Sequence, residues 1–181
     1  MIIFISGGAK NGKTTFGQDL AVKLAAGGSL YYVATMIPAD DEDRERIRRH
    51  REDRDGMGFE TIEAGRSILS CIEKADADGT FLLDSVTALL LNELFPDPVR
   101  PEMDVEAAER CADEVTEFAR TVKNAVIISD YIYSDAARYD EVTETYRKCL
   151  ADIDRKLAAV SDAVIEVSAG NMFLHKGELP A

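Results

Sequence analysis

Tryptophan is missing from this chain of 181 residues, which has only two histidines, three cysteines and five prolines. The cysteines, Cys71, Cys111 and Cys149, are far apart and form no C-x-x-C pair. That scatter excludes a disulfide scaffold and suggests small core residues in a reducing compartment. Basic residues are also scarce, 21 against 34 acidic ones, for a net charge of -13. Such a chain lacks the basic surface a nucleic-acid backbone requires, so nucleic acid is not the expected partner. A nucleotide is not excluded, because a phosphate site acts locally. No apolar stretch is long enough to span a membrane. Met1–Ser6 lacks the basic start and long apolar core of a signal peptide, so a cytoplasmic location is expected. The length fits one domain, residues 1–181, able to bury a core without staples.

What is present is a phosphate loop. Gly7-Gly8-Ala9-Lys10-Asn11-Gly12-Lys13-Thr14 fits G-x-x-x-x-G-K-[ST]. It follows the short apolar run Met1–Ser6 and leads into a helix-like segment from Thr15. The glycines let backbone N–H groups close around phosphate oxygens, and the helix start adds partial positive charge. Lys13 is expected to reach the β- and γ-phosphates, and the Thr14 hydroxyl to hold Mg²⁺.

Apolar runs recur at Ile2–Ser6, Leu30–Ala34, Thr80–Leu83, Ala125–Ser129 and Ala163–Val167. They do not alternate with polar residues, as suits strands buried on both faces. Between them lie helical stripes. Asp104 can cap a helix with Val105, Ala108, Ala112, Val115, Ala119 and Val122 on one face, and Val142, Tyr146, Cys149, Ile153, Leu157 and Val160 form another. Strands alternating with helices predict an α/β fold, a mainly parallel sheet with helices on both faces and ligands at the carboxyl ends of the strands. Phe95–Pro101 reads as an extended connector, and Asn171–Gly177 as a last short strand.

Phe81-Leu82-Leu83-Asp84 is an apolar strand ending in a carboxylate. Downstream of a phosphate loop this is the expected Walker B element, with Asp84 at Mg²⁺ directly or through water. The blander reading makes Asp84 the cap of a helix starting near Ser85.

Asp40–Arg54 is almost wholly charged. Arg46, His50 and Arg54 follow at i, i+4 spacing and share a helix face. One reading is a solvated helix laced with ion pairs. The other has the arginines binding a triphosphate and His50 attacking phosphorus through its imidazole nitrogen to give a phosphoramidate. The second histidine, His175, lies outside any motif and is read as structural.

These elements, in this order, resemble the bifunctional adenosylcobinamide kinase/adenosylcobinamide-phosphate guanylyltransferases of cobalamin biosynthesis. The likeness runs through Gly7–Thr14, Tyr32-Val33-Ala34-Thr35, the acidic patch Asp40-Asp41-Glu42, Arg46-Ile47-Arg48-Arg49-His50, Arg54, Thr61-Ile62-Glu63, Leu82-Leu83-Asp84-Ser85-Val86-Thr87 and Asn92. The resemblance implies a RecA-like phosphate-loop fold. It implies ATP and GTP as substrates with Mg²⁺, and a corrinoid acceptor, adenosylcobinamide, phosphorylated at its aminopropanol hydroxyl. By the Arg-Ile-x-x-His match His50 would take GMP from GTP and pass it to the new phosphate. Val33, Ala34, Thr35, Arg51, Glu52, Asp53, Arg54 and Glu63 would contact GTP, and a homotrimer is possible.

The chain departs from that pattern in three places. The family's Asn-Glu-Val-Gly loop reads Asp130-Tyr131-Ile132-Tyr133, its Trp before Thr-x-Glu is Phe59, and its late Gly-x-x-Asn is Ala151-Asp152-Ile153-Asp154. The Asp130–Tyr133 change is expected to bear on the acceptor more than on the nucleotide. Two other functions fit the motifs: a phosphate-loop kinase of another small alcohol, and a nucleotide-binding module without turnover.

Overall fold

The computed structural model describes residues 1–97, 99 and 102–180. Of the connector read at Phe95–Pro101, positions 98, 100 and 101 lie outside the described residues. Seven strands form one sheet: β1 (Ile2–Gly7), β2 (Leu30–Ala34), β3 (Glu60–Glu63), β4 (Thr80–Asp84), β5 (Asn124–Asp130), β6 (Ala163–Ser168) and β7 (Asn171–Lys176), in the order β3-β2-β4-β5-β1-β6-β7. All neighbours are parallel except the last pair, β6 and β7. The helices are α1 (Lys13–Ala25), α2 (Asp41–Asp53), α3 (Val86–Leu94), α4 (Glu106–Thr121) and α5 (Glu141–Val160), with a 3-10 helix at Ile68–Lys74.

The predicted α/β architecture is the observed one, and strand alternation explains its two cores. Ile2 and Phe4 turn to one face with Phe81, Leu83, Ala125 and Ile127, where α3, α4 and α5 pack. Ile3 and Ile5 turn to the other with Leu82, Val126 and Ile128, covered by Leu20 and Ala21 of α1. Because each central strand is apolar on both faces, its sequence shows no alternation.

Two helical stripes differ from expectation. Val105 is 53% exposed, while Ala107, Cys111 and Phe118 are buried with Ala108, Ala112, Val115 and Ala119. The other predicted members, including Val122, are buried as expected; Asp104 accepts the Ala107 N–H at 3.2 Å, and Val105 stands at the N-cap ahead of the first turn. In α5, Val142 is 49% exposed, and the buried face runs through Arg147, Leu150, Ile153, Asp154 and Leu157. Arg147 stays inside because its guanidinium bonds the Ile132 and Ala137 carbonyls, Glu144 and Asp135, tying down the segment after β5. Cys71 and Cys111 are buried and Cys149 half-buried, and all three are free thiols.

Candidate active site

The carboxyl ends of β1, β4 and β5 meet at the phosphate loop. Gly7 has to be glycine, because a Cβ there would lie 2.3 Å from the Val167 carbonyl oxygen. Gly12 sits at φ 86°, in the left-handed region that glycine enters without strain. It also caps α1 with no side-chain hydrogen bond, so the first N–H groups of the helix keep their donors for a ligand.

Lys13 is buried and folds back across the loop. Its Nζ donates to the Gly8 carbonyl at 2.7 Å and to Asp130 Oδ1 at 2.6 Å. Thr14 Oγ1 donates to Asp84 Oδ2 at 3.0 Å. The helix after Asp84 is capped by Ser85, whose Oγ accepts the Ala88 N–H, which leaves Asp84 for other partners. The capping alternative for Asp84 is thereby corrected. Thr14 and Asp84 are hard oxygen donors side by side, a donor set that fits Mg²⁺, which keeps several water and phosphate ligands of its own. Among the described residues no three His, Cys, Asp or Glu gather as a metal cluster.

Asp84 has a second neighbour. The Tyr32 hydroxyl donates to Asp84 Oδ2 at 2.8 Å. Burial, and then the Asp84 charge, push the Tyr32 phenol far above its ordinary value, so it remains a donor. The Arg54 guanidinium lies over the Tyr32 ring, 3.7 Å from its centroid. Arg54 in turn donates to the His50 carbonyl at 2.6 Å and to Thr61 Oγ1 at 3.1 Å. Burial lowers the Arg54 value, the neighbouring Arg51 charge adds to that, and Tyr32 and Asp84 oppose it. A continuous set of contacts therefore runs from Thr14 through Asp84, Tyr32 and Arg54 to the backbone of His50.

Helix α2 accommodates both readings of its charge, one on each face. Glu45 bonds Arg48 and Arg49, and Arg48 also bonds Glu52. Hydrogen bonds from Arg48 and Arg49 hold Glu45 down to about 2. This is the solvated, ion-paired face. Arg46, His50 and Arg54 occupy the other, and among the described residues Arg46 and His50 join none of those ion pairs. His50 is half-buried. At the carboxyl end of α2 a cleft of about 520 Å³ is lined by Arg51, Arg54, Phe59 and Thr61 among others, within the range of small-ligand sites.

The remaining sequence-derived positions are placed as follows. Val33 and Thr35 are fully buried, and the Thr35 hydroxyl exchanges hydrogen bonds with the Ser85 backbone. Ala34 is half-buried. Arg51 and Glu63 pair with each other at 2.7 Å, Glu52 is engaged by Arg48, and Asp53 is exposed. Ala9 and Lys10 are exposed in the loop, with Lys10 at φ 59°, and Asn11 is half-buried beside Gly8. His175 lies exposed on β7, 3.0 Å from Glu166, away from α2. Asn92 holds the ends of β2 and β3 together by donating to the Thr35 and Gly65 carbonyls.

Tyr32 and Asp130, named in the sequence only as motif positions with no contact assigned, belong to the site's geometry through Asp84 and Lys13. Asp130 was legible in principle. It ends an apolar strand just as Asp84 does, and β5 lies between β1 and β4.

The family described as cobinamide kinase / cobinamide phosphate guanyltransferase matches residues 3–174. The chain belongs to that family. It is 26% identical over 181 residues to the bifunctional adenosylcobalamin biosynthesis protein CobU of Salmonella typhimurium, covering 94% of this chain and 97% of that one. To the protein of the same name from Escherichia coli it is 24% identical over 179 residues, with the same coverage. Among solved structures it is similar to the flagellar accessory protein FlaH from Methanocaldococcus jannaschii, with a TM-score of 0.50 and 16% identity over 98% of this chain and 78% of that chain. A KaiC-like protein from Pyrococcus horikoshii gives a TM-score of 0.51 at 15% identity, covering 98% and 79%. These two likenesses bear on the fold alone, and that fold is the RecA-like phosphate-loop fold expected from the sequence. No helix among the described residues is long and apolar enough to cross a membrane.

Proposed function

We propose that this chain phosphorylates the aminopropanol hydroxyl of adenosylcobinamide from ATP or GTP and then transfers GMP from GTP to the new phosphate through His50. Family membership over residues 3–174, together with the phosphate-loop arrangement of Lys13, Thr14 and Asp84, carries this reading. The free N–H groups at the start of α1 and the Lys13 ammonium bind the β- and γ-phosphates. Thr14 and Asp84 would hold Mg²⁺, which when bound neutralises charge on the phosphates.

The second half-reaction belongs to the inner face of α2. The His50 imidazole nitrogen attacks the α-phosphorus of GTP, forming a P–N bond as diphosphate leaves, and the phosphate of the acceptor then displaces the histidine. Arg51 and Arg54, which line the cleft at the carboxyl end of α2, supply the positive charge that a triphosphate needs in a chain of net charge -13. Release of Arg51 from Glu63 is part of this binding. The family resemblance makes a homotrimer possible.

The test is incubation of the protein with adenosylcobinamide, GTP and Mg²⁺, with products resolved by mass. Adenosylcobinamide phosphate followed by the GDP-linked product is the expected series. Phosphorylation of a different alcohol with no GMP transfer would favour the simple kinase instead.

A further inference from the structure

Asp130 ends β5, the strand beside the phosphate-loop strand, and stands in register with Gly7. Its backbone N–H is fixed by Thr87 Oγ1 at 2.8 Å. Its carboxylate and the Gly8 carbonyl share one ammonium, that of Lys13. A triphosphate entering the loop draws Lys13 to its β- and γ-phosphates. An ammonium that donates at about 2.8 Å to both a carboxylate and a phosphate keeps their oxygens within about 5 Å of each other. A γ-phosphate held by Lys13 would thus lie within reach of Asp130, whose side chain is 29% exposed.

A second negative charge beside a triphosphate weakens nucleotide binding, so affinity does not account for it. The other carboxylates around the loop are engaged. Asp84 accepts from Thr14 and Tyr32. Asp154 is 4% exposed beneath the Tyr133 hydroxyl. Glu166, on β6, accepts from Tyr131 and faces His175. Asp130 is the one of the four that is both partly open and in contact with Lys13.

We propose that Asp130 is the catalytic base of the phosphorylation step, taking the proton of the acceptor hydroxyl as that oxygen attacks the γ-phosphorus. The inference rests on the kinase half of the proposed function. A bond forms between the acceptor oxygen and the γ-phosphorus, and the bond from that phosphorus to the β-bridging oxygen breaks. The hydroxyl proton passes to the Asp130 carboxylate and on to solvent. The nucleoside diphosphate leaves with the electron pair, its new charge met by the Lys13 ammonium. Asp130 keeps its contact with the Lys13 ammonium while that ammonium also reaches the γ-phosphate. Attack of the His50 nitrogen on GTP removes no hydroxyl proton and so does not call on Asp130.

The experiment compares the full-length wild type with Asp130→Asn and Asp130→Glu, using adenosylcobinamide, GTP and Mg²⁺. Asp130→Asn is expected to lower the turnover of phosphorylation by about 10²-fold or more, as for loss of a general base. Its KM for GTP should be equal or lower, and α-labelled GTP should still mark His50. Asp130→Glu should restore part of the rate. An Asn variant within threefold of the wild type overturns the assignment and leaves the kinase reading intact. Loss of GTP affinity in step with the rate also overturns it, by making Asp130 a support for Lys13. A wild type that phosphorylates neither adenosylcobinamide nor any other alcohol removes the kinase reading, and the base with it.

Discussion

The roles proposed for Lys13 and His50 are separable by single substitutions. Lys13 faces the loop and Asp130, not the apolar core, so Lys13→Ala should leave the fold intact. It removes the point charge on the transferring phosphate, and phosphoryl transfer should fall about 10²- to 10³-fold, as when one electrostatic stabiliser is lost. Steady-state assays beside a thermal melt check both halves, and unchanged turnover would sink the assignment. His50→Ala should abolish a GMP adduct formed from α-labelled GTP while phosphorylation continues. The adduct should be acid-labile and base-stable, as a phosphoramidate is and a serine ester is not. His175→Ala should keep the label, since His175 lies on β7 against Glu166. A wild type that phosphorylates without any acid-labile adduct would return α2 to a purely ion-paired helix.

At the scale of elements, the segment after β5 meets α5 in a polar pair that the apolar patterns hid. Tyr133 donates to Asp154 Oδ2 at 2.8 Å, and Asp154 Oδ1 is buried with no partner. Both are positions where the chain departs from the pattern it resembles, so two separate-looking changes in the sequence are one contact in space. Burial pushes the Asp154 carboxyl up to about 6, and the Tyr133 hydrogen bond only partly opposes it. The folded state then holds this proton more tightly than the unfolded chain, whose value is near 3.9. Between those values the folded state binds more protons, so this group's contribution to stability falls as pH rises and is lost above about 6. Asp154→Asn keeps an acceptor for Tyr133 and carries no charge. It should gain about 2–3 kcal/mol at pH 8, a gain that fades toward pH 4. Urea unfolding at both pH values is the check, and an equal effect at each would refute the buried charge. The same contrast explains what could be read in advance. Central strands announced themselves because burial on two faces demands an unbroken apolar run. Strand β3 did not, because at the sheet edge only Ile62 of Glu60–Glu63 is buried. The α5 stripe missed two members of the buried face, Arg147 and Asp154, which are inside for their hydrogen bonds, and hydrophobic periodicity does not record those. Within the site, the loop and Asp84 were visible as motifs. The Tyr32–Arg54 stack depends on β2 and the end of α2 meeting in space, and no local spacing encodes that.

For the whole molecule the question is how a chain of net charge -13 binds a polyanion. Long-range attraction is unavailable, and at physiological ionic strength exposed charges are screened beyond about 8 Å. Binding must then come from contacts within a few ångströms: the free N–H groups of α1, Lys13, and the arginines at the end of α2. Those contacts exist only when β1, β2, β4 and β5 are assembled with their carboxyl ends together, so the ligand binds the folded state and not the unfolded one. Binding at a hundred times the dissociation constant should therefore add about 2.7 kcal/mol to stability. In a chain of this size that corresponds to a rise in Tm of roughly 5–10 °C. Mg²⁺ with GTP should produce the shift in the wild type, and Lys13→Ala should lose most of it at the same nucleotide concentration. His50→Ala should keep most of it, because that side chain is assigned to covalent transfer and not to holding the β- and γ-phosphates. A His50→Ala protein that loses the shift while Lys13→Ala retains it would move the main nucleotide site from the phosphate loop to α2.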